Sequence, residues 1–263
     1  MIPVALTVGG SDPSGGAGIQ ADLKTFHQFG VYGQAAITLI TVQNTVGVLR
    51  VECLPADLVA QQLRAVMEDI VPGAVKTGAL GNREIIEAVA EVAAALRCPL
   101  VVDPVAISKH GARLLATDAV DALKARLLPR AFLLTPNLEE AEMLTGEPVR
   151  DVAGMYAAAE KLIAMGARAV LVKGGHLAGD AVDVLFHDGR RVEFAAPRID
   201  TPHTHGTGCT YSAAITALLA KGEELESAVG KAKRYISEAI RTNPGLGKGA
   251  GPVNHHAKPA TSD

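Results

Sequence analysis

Gly9-Gly10-Ser11-Asp12-Pro13-Ser14-Gly15-Gly16-Ala17-Gly18-Ile19-Gln20-Ala21-Asp22 follows an apolar run at 3–9, and its reading separates two kinds of α/β chain. Within it, Gly16 to Ala21 fits the G-x-G-x-x-G/A dinucleotide fingerprint. The first glycine of that fingerprint belongs directly after the strand, and its acidic partner lies about 20 residues on. Neither condition is met: the glycine comes well past the strand's end, and Thr38 to Asn44 holds no carboxylate. A Walker loop is also absent, since no glycine-lysine-serine/threonine triplet occurs. The stretch reads instead as a glycine-rich loop at the carboxyl end of a first strand.

Outward from that loop, strand-length apolar runs alternate with helix-period stretches, the pattern of βαβ units and a parallel sheet. Strands are predicted at 3–9, 34–41, 73–77, 99–103, 131–135 and 168–173. A helix over 57–70 takes Asp57 as N-cap, and one over 82–96 takes Asn82. Val46 to Cys53 reads as an extra edge strand, and Asp188-Gly189 as the turn of a hairpin inside 182–195. No linker or solenoid repeat interrupts the pattern, so 1–263 is expected to be one α/β domain, loosening from about residue 253.

Composition narrows the function class. Nearly half of the 263 residues are apolar, enough for a large core, and the net charge of −3 is mixed in sign, with no basic stripe for nucleic acid. No apolar run approaches the roughly 20 residues of a membrane span, and the N-terminus lacks the flanks of a signal peptide. The three cysteines, Cys53, Cys98 and Cys209, are too scattered for a disulfide framework or a zinc site. The expectation is a reduced cytoplasmic protein working on a small molecule; oligomeric state is open, a homodimer being one expectation.

Chemistry gathers where the strands end, which is where open parallel sheets bind ligands. Thr204-His205-Gly206-Thr207-Gly208-Cys209-Thr210 runs into the small, apolar stretch Tyr211 to Ala220, which reads as a helix. Its unpaired first-turn amides make an anion site, and the same helix end favours Cys209 as thiolate and proton acceptor. Without that context the stretch is equally a glycine-rich cap with a core cysteine. Asn137 and Glu140 have the spacing of a capping box, while Glu140 at a strand end also suits the waters of Mg²⁺. Lys173, before Gly174-Gly175-His176, is either a solvated lysine or a phosphate contact. Asp103 is a turn former or a metal-side carboxylate. His203, His205, His255 and His256 lack metal spacing and read as surface or cap residues.

The loop at 10–22, Thr135-Pro136-Asn137, Lys173-Gly174-Gly175-His176 and the 204–209 turn, in this order, resemble the hydroxymethylpyrimidine and phosphomethylpyrimidine kinases of thiamine biosynthesis, members of the ribokinase-like superfamily. The resemblance runs from about residue 3 to Gly247-Lys248-Gly249-Ala250-Gly251-Pro252. It implies a three-layer α/β/α sandwich with a mostly parallel sheet, and ATP with Mg²⁺ at its carboxyl edge. Substrate would be an aminopyrimidine alcohol and its monophosphate. In this reading Gly206, Thr207 and Gly208 hold the transferring group with Lys173, and Cys209 is the base. Asn137, Thr204 and Lys173 serve the nucleotide, while Asp103 and Glu140 serve the metal. Gly10, Asp22, Gln43 and Ala79 face the pyrimidine, and Gln43 offers its amide to the amino group and ring nitrogen. Ala79 departs from the family, which usually has methionine there. Two alternatives stay open: a pyridoxal-type vitamer kinase, and a non-catalytic pyrimidine or nucleotide sensor.

Overall fold

In the computed structural model, residues 2–109, 111–175, 177 and 179–259 are described; His176 of the Lys173 motif lies outside them. β1 (Val4–Ser11), α1 (Gly18–Gln28), β2 (Tyr32–Gln43) and β3 (Val48–Cys53) come first, followed by α2 (Ala56–Asp69), β4 (Ala74–Thr77) and α3 (Arg83–Ala93). β5 (Leu100–Val102), α4 (Ala119–Ala122), β6 (Leu133–Leu134), α5 (Leu138–Thr145) and α6 (Val152–Ala164) form the middle. β7 (Ala169–Lys173), the pair β8 (Ala181–His187) and β9 (Arg190–Ala196), then α7 (Thr207–Ala220) and α8 (Leu225–Arg241) complete the chain.

The strands make one nine-stranded sheet in the order β3-β2-β1-β4-β5-β6-β7-β8-β9. β2, β1, β4, β5, β6 and β7 run parallel to one another, while β3 pairs antiparallel with β2, β8 with β7 and β9 with β8. The chain moves outward from β1 to β3, then returns to place β4 on the other side of β1. Such a reversal opens a crevice beyond the carboxyl ends of the two strands.

Side chains alternate between the two faces, as the period of two requires. Leu6, Val8, Leu100, Val102, Leu134, Val170 and Val172 point into a core with α2 to α6. Ala5, Val101, Leu133 and Leu171 point into a second core with α1, α7 and α8. α7 is buried on nearly every side from Thr210 to Leu219, which explains its small residues and lack of a polar face.

Most predicted elements are present, with shifted bounds. The strand expected at 131–135 shrinks to two residues, and the edge strand begins at Val48 because Asn44 Oδ1 accepts from Val46 N (2.9 Å) and holds a turn there. Asn82 caps α3 through Ile85 N (3.0 Å). Asp57 is not the N-cap of α2: the helix starts after Pro55, leaving Asp57 in the first turn, where its charge still suits the helix dipole. Asp188 (φ 48°) and Gly189 (φ 73°) supply the two left-handed residues of the β8–β9 turn. The expected loosening does not begin at 253. Val253 and Ala257 are buried, and Asn254 N donates to Ala239 O at the end of α8 (2.9 Å). No helix among the described residues is long and apolar enough to cross a membrane.

Candidate active site

A cleft of about 1180 Å³ opens over the carboxyl ends of the parallel strands. Every candidate residue from the sequence lines it: Gly10 and Asp22 near β1, Gln43 ending β2, Ala79 after β4, Asp103 after β5, Asn137 and Glu140 at α5, Lys173 ending β7, and Thr204 with Gly206 to Cys209 at α7.

The α7 end is built around Gly206, the N-cap, whose φ of 79° lies in the left-handed region. Thr207 Oγ1 donates to Thr204 O (2.8 Å), closing the turn so that the first helical amides face the cleft. A Cβ on Gly208 would lie 3.4 Å from Lys173 Nζ, so the ammonium sits directly beside the amides. An anion placed there meets a helix N-terminus and a cation together.

Lys173 is held by Asp103, whose Oδ1 accepts from Nζ at 2.9 Å. Asp103 also accepts from Thr135 Oγ1 (3.1 Å) and Ser212 Oγ (3.0 Å). Burial opposes both charges, but the pairing wins: Asp103 lies below its ordinary value and Lys173 above. Asn137 completes the capping box, taking Glu140 N (2.9 Å) while its own N–H donates to Glu140 Oε2 (2.8 Å). Asn137→Ala is expected to cost about 1 kcal/mol by chemical denaturation, because Glu140 N loses its cap while the backbone N–H of residue 137 still donates to the Glu140 carboxylate; an unchanged midpoint would mean the cap carries no stability.

Burial pushes Glu140 up to about 7, with neighbouring Asp103 adding to the rise and Lys173 opposing it. Two buried carboxylates share one lysine here, an excess of negative charge that suits a divalent cation. Among the described residues no set of three or more metal-ligating side chains comes together. A magnesium ion fits such a site nonetheless, because it keeps most of its waters and takes one or two carboxylates.

Cys209 corrects one expectation. It lies at the third position of α7 and keeps partial exposure to the cleft, yet burial of its surroundings pushes the thiol up to about 11. Lys76 and the Gly18 amide favour the thiolate, whereas Asp22 and Asp103 oppose it. The helix end alone does not make a thiolate here.

The structure also brings in residues that the sequence did not single out. Lys76, fully buried on β4, pairs with Asp22 Oδ2 at 2.8 Å, and Thr7 Oγ1 donates to the same oxygen at 2.6 Å. Burial works against the Lys76 ammonium, but Asp22, Cys209 and Asp103 outweigh it and hold the group charged. Asp22 Oδ1 has no protein partner among the described residues although Asp22 is 1% exposed. A lysine inside a strand gave one signal: a charge in an otherwise apolar parallel strand must have a partner.

Two histidines are likewise not surface groups. His205 is buried with Nε2 2.8 Å from Asp12 Oδ2, and His255 is buried against Thr210 Oγ1 (3.1 Å). Burial, with Lys24 nearby, drives His255 down to about 4, so it is neutral. His203 Nδ1 accepts from Gly251 N (3.1 Å), and His256 is exposed.

An anion-binding helix end, a paired lysine and an acidic edge thus meet in one cleft over the carboxyl ends of the parallel strands. A family model described as phosphomethylpyrimidine kinase matches residues 12–254. The hydroxymethylpyrimidine/phosphomethylpyrimidine kinase of Streptomyces coelicolor is 49% identical over 253 residues, covering 96% of this chain and 94% of that one. Among solved structures, an ADP complex of Bacillus subtilis pyridoxal kinase superposes with a TM-score of 0.91 at 40% identity over 98% of each chain. A phosphomethylpyrimidine kinase from Clostridium difficile gives 0.81 at 45% identity, covering 91% of this chain and all of that one. The chain belongs to the phosphomethylpyrimidine kinase family.

Proposed function

We propose that the chain transfers the γ-phosphoryl group of ATP to the hydroxymethyl oxygen of 4-amino-5-hydroxymethyl-2-methylpyrimidine, and then to the resulting monophosphate, for thiamine biosynthesis. The observation that carries this reading is the meeting of Cys209, the Gly206–Gly208 amides and Lys173 at one end of the cleft, with the free Oδ1 of Asp22 among its lining.

Phosphoryl transfer runs through a loose transition state, so positioning and charge neutralisation do most of the catalysis. The amides of Gly206, Thr207 and Gly208, with Lys173, meet the charge that develops on the transferring group. Cys209, in its thiolate form, accepts the hydroxyl proton. Asn137 and Thr204 border the nucleotide's phosphates. Glu140 is the better placed of the two acids to hold Mg²⁺ or its waters, because Asp103 is already engaged by Lys173, Thr135 and Ser212. When bound, the ion neutralises phosphate charge. At the substrate end Asp22 Oδ1 is a buried acceptor that requires a donor, as the substrate's amino group would supply, and Gln43 offers its amide.

ADP release measured with ATP, Mg²⁺ and a panel of hydroxymethyl heterocycles tests the assignment. Turnover is expected with the pyrimidine and with its monophosphate. Turnover of pyridoxal and of neither pyrimidine would transfer the chain to the vitamer kinases, and tight binding with no ADP from any alcohol would make it a sensor.

The pyridoxal reading has one observation in its favour. Ala79 stands beside Gly10, where an added Cβ would come 3.6 Å from the Ala79 methyl and 2.6 Å from Leu39 Cδ1, so Ala79 leaves room next to a leucine that already fills the other side. Ala79→Met is therefore expected to reduce kcat/KM for pyridoxal relative to the pyrimidine by about tenfold, the low end of what one or two methylenes discriminate. An unchanged ratio would remove Ala79 from substrate selection.

A further inference from the structure

We propose that the buried Asp12–His205 pair is a positioning device that locks the anion-binding turn of α7 to the glycine-rich loop after β1. The inference rests on the phosphoryl-transfer reading above. Neither residue belongs to the division of labour described there, and no regular secondary structure holds either segment.

One carboxylate gathers five donors. Asp12 Oδ1 accepts from Ser14 N (2.8 Å) and Ser14 Oγ (2.7 Å); Oδ2 accepts from Gly16 N (3.2 Å), Ala17 N (2.8 Å) and His205 Nε2 (2.8 Å). Burial alone would raise this acid, but the His205 and Ser14 bonds bring it down to about 2. An ionised carboxylate only accepts, so His205 Nε2 carries the hydrogen. The His205 backbone is pinned on its other side, its N–H donating to Gly251 O (3.0 Å) and its carbonyl accepting from Val253 N (3.3 Å).

Backbone then meets backbone. A Cβ on Gly206 would collide with the Gly16 carbonyl, and one on Gly16 would collide with the His205 ring and meet Pro252. Three segments distant in sequence, 12–17, 205–206 and 251–253, are thus close-packed behind the amides that receive the phosphoryl group, with Asp12 joining the first two and the His205 backbone joining the last two. The same loop continues into Gly18, whose amide reaches Cys209, and into Asp22 on α1. A shift at Asp12 would be passed to Gly206 and so to the amides of Thr207 and Gly208. Because those donors matter most in the transition state, the loss should fall on kcat rather than on ground-state binding.

Steady-state kinetics of full-length Asp12→Asn, His205→Leu and His205→Gln variants test this, together with binding of ADP·Mg²⁺ with and without aluminium fluoride, a mimic of the transferring group. Asn keeps one acceptor and turns the other into a donor facing donors; Leu removes the His205 donor; Gln restores an N–H near the position of Nε2. Asp12→Asn and His205→Leu are expected to lose about 10- to 100-fold in kcat, the scale of an ångström-sized misplacement. Their KM values and ADP affinity should stay within about threefold of the parent, while affinity for ADP·aluminium fluoride falls by the same factor as kcat. His205→Gln should stay near the parent in all measures. Parent-like kcat in folded Asp12→Asn and His205→Leu would overturn the proposal, as would equal losses in kcat and ADP affinity, the mark of general loosening. If Asp12→Asn does not fold, the contrast between His205→Leu and His205→Gln decides. A parent enzyme that makes no ADP with any alcohol would overturn the kinase reading, whereas these variants overturn the positioning role in an active parent.

Discussion

Replacing Cys209 by alanine is expected to lower turnover roughly 10²- to 10⁴-fold, the usual worth of positioned proton transfer. The fold should survive, because Cys209 keeps partial exposure at the cleft and alanine leaves its helical position undisturbed. Circular dichroism and the denaturation midpoint check the second point. Cys209→Asp should recover part of the lost rate, since a carboxylate at the third position of α7 can accept the same proton, though with a different reach. An alanine variant with parental turnover would leave Cys209 as a packing residue.

The pH profile sharpens this test. With the thiol raised to about 11 from an ordinary 9.0, the free enzyme holds little thiolate near neutrality. kcat/KM for the pyrimidine should therefore climb with pH, by up to about tenfold per unit between pH 7 and 9, and the climb should vanish in Cys209→Asp. A plateau near neutrality above a limb at acidic pH, which a thiolate made by the helix end would produce, is not expected. Stability changes in the opposite sense: a raised folded value favours the protonated thiol, so its contribution is complete below pH 9 and is lost as pH rises towards 11. A flat profile in the parent would mean that proton removal is not what Cys209 contributes.

The mismatch between thiolate and thiol shows where sequence stops informing. Gly206, Thr207, Gly208 and Cys209 could be read as an anion-binding helix start because glycine chemistry and helix ends are local. The ionisation of Cys209 depends on Lys76, Asp22 and Asp103, which come from β4, α1 and the end of β5 and meet it only in the folded chain. Asn137 with Glu140 was legible for the same local reason, as both halves of the capping box lie within four residues. The alternation of strands and helices carried the parallel sheet, because period and burial agree along each segment. Asp57 misled because an acid near a helix start is a cap only if the backbone turns there, and Pro55 already sets that entry. His205 and His255 read as surface or cap residues in the sequence because their partners, Asp12 and Thr210, lie 193 and 45 residues away. No spacing rule links such pairs.

Lys173→Ala should reduce kcat by about 10²- to 10³-fold, the typical loss on removing one preorganised donor from a developing charge. KM for the pyrimidine should change little, because that charge forms mainly in the transition state. The substitution carries a structural cost that must be separated from the catalytic one. Asp103 is 2% exposed and would lose its only cationic hydrogen-bond partner among the described residues, keeping Thr135 and Ser212. Breaking a buried pair from one side costs on the order of 3–5 kcal/mol. Asp103 lies below its ordinary 3.8 and Lys173 above its ordinary 10.5, so the pair's contribution holds between roughly those pH values and fades as pH falls through the first or rises through the second. Combining Lys173→Met with Asp103→Asn removes both charges, fills the space of the lysine stem and leaves an amide whose oxygen can accept from one of the Thr135 and Ser212 hydroxyls while its NH2 donates to the other. The double variant should regain most of the lost denaturation midpoint while kcat stays low. Recovery of turnover together with stability would show that Lys173 only neutralises Asp103. Recovery of stability alone assigns the ammonium, 3.4 Å from where a Gly208 Cβ would stand, to the transferring phosphoryl group.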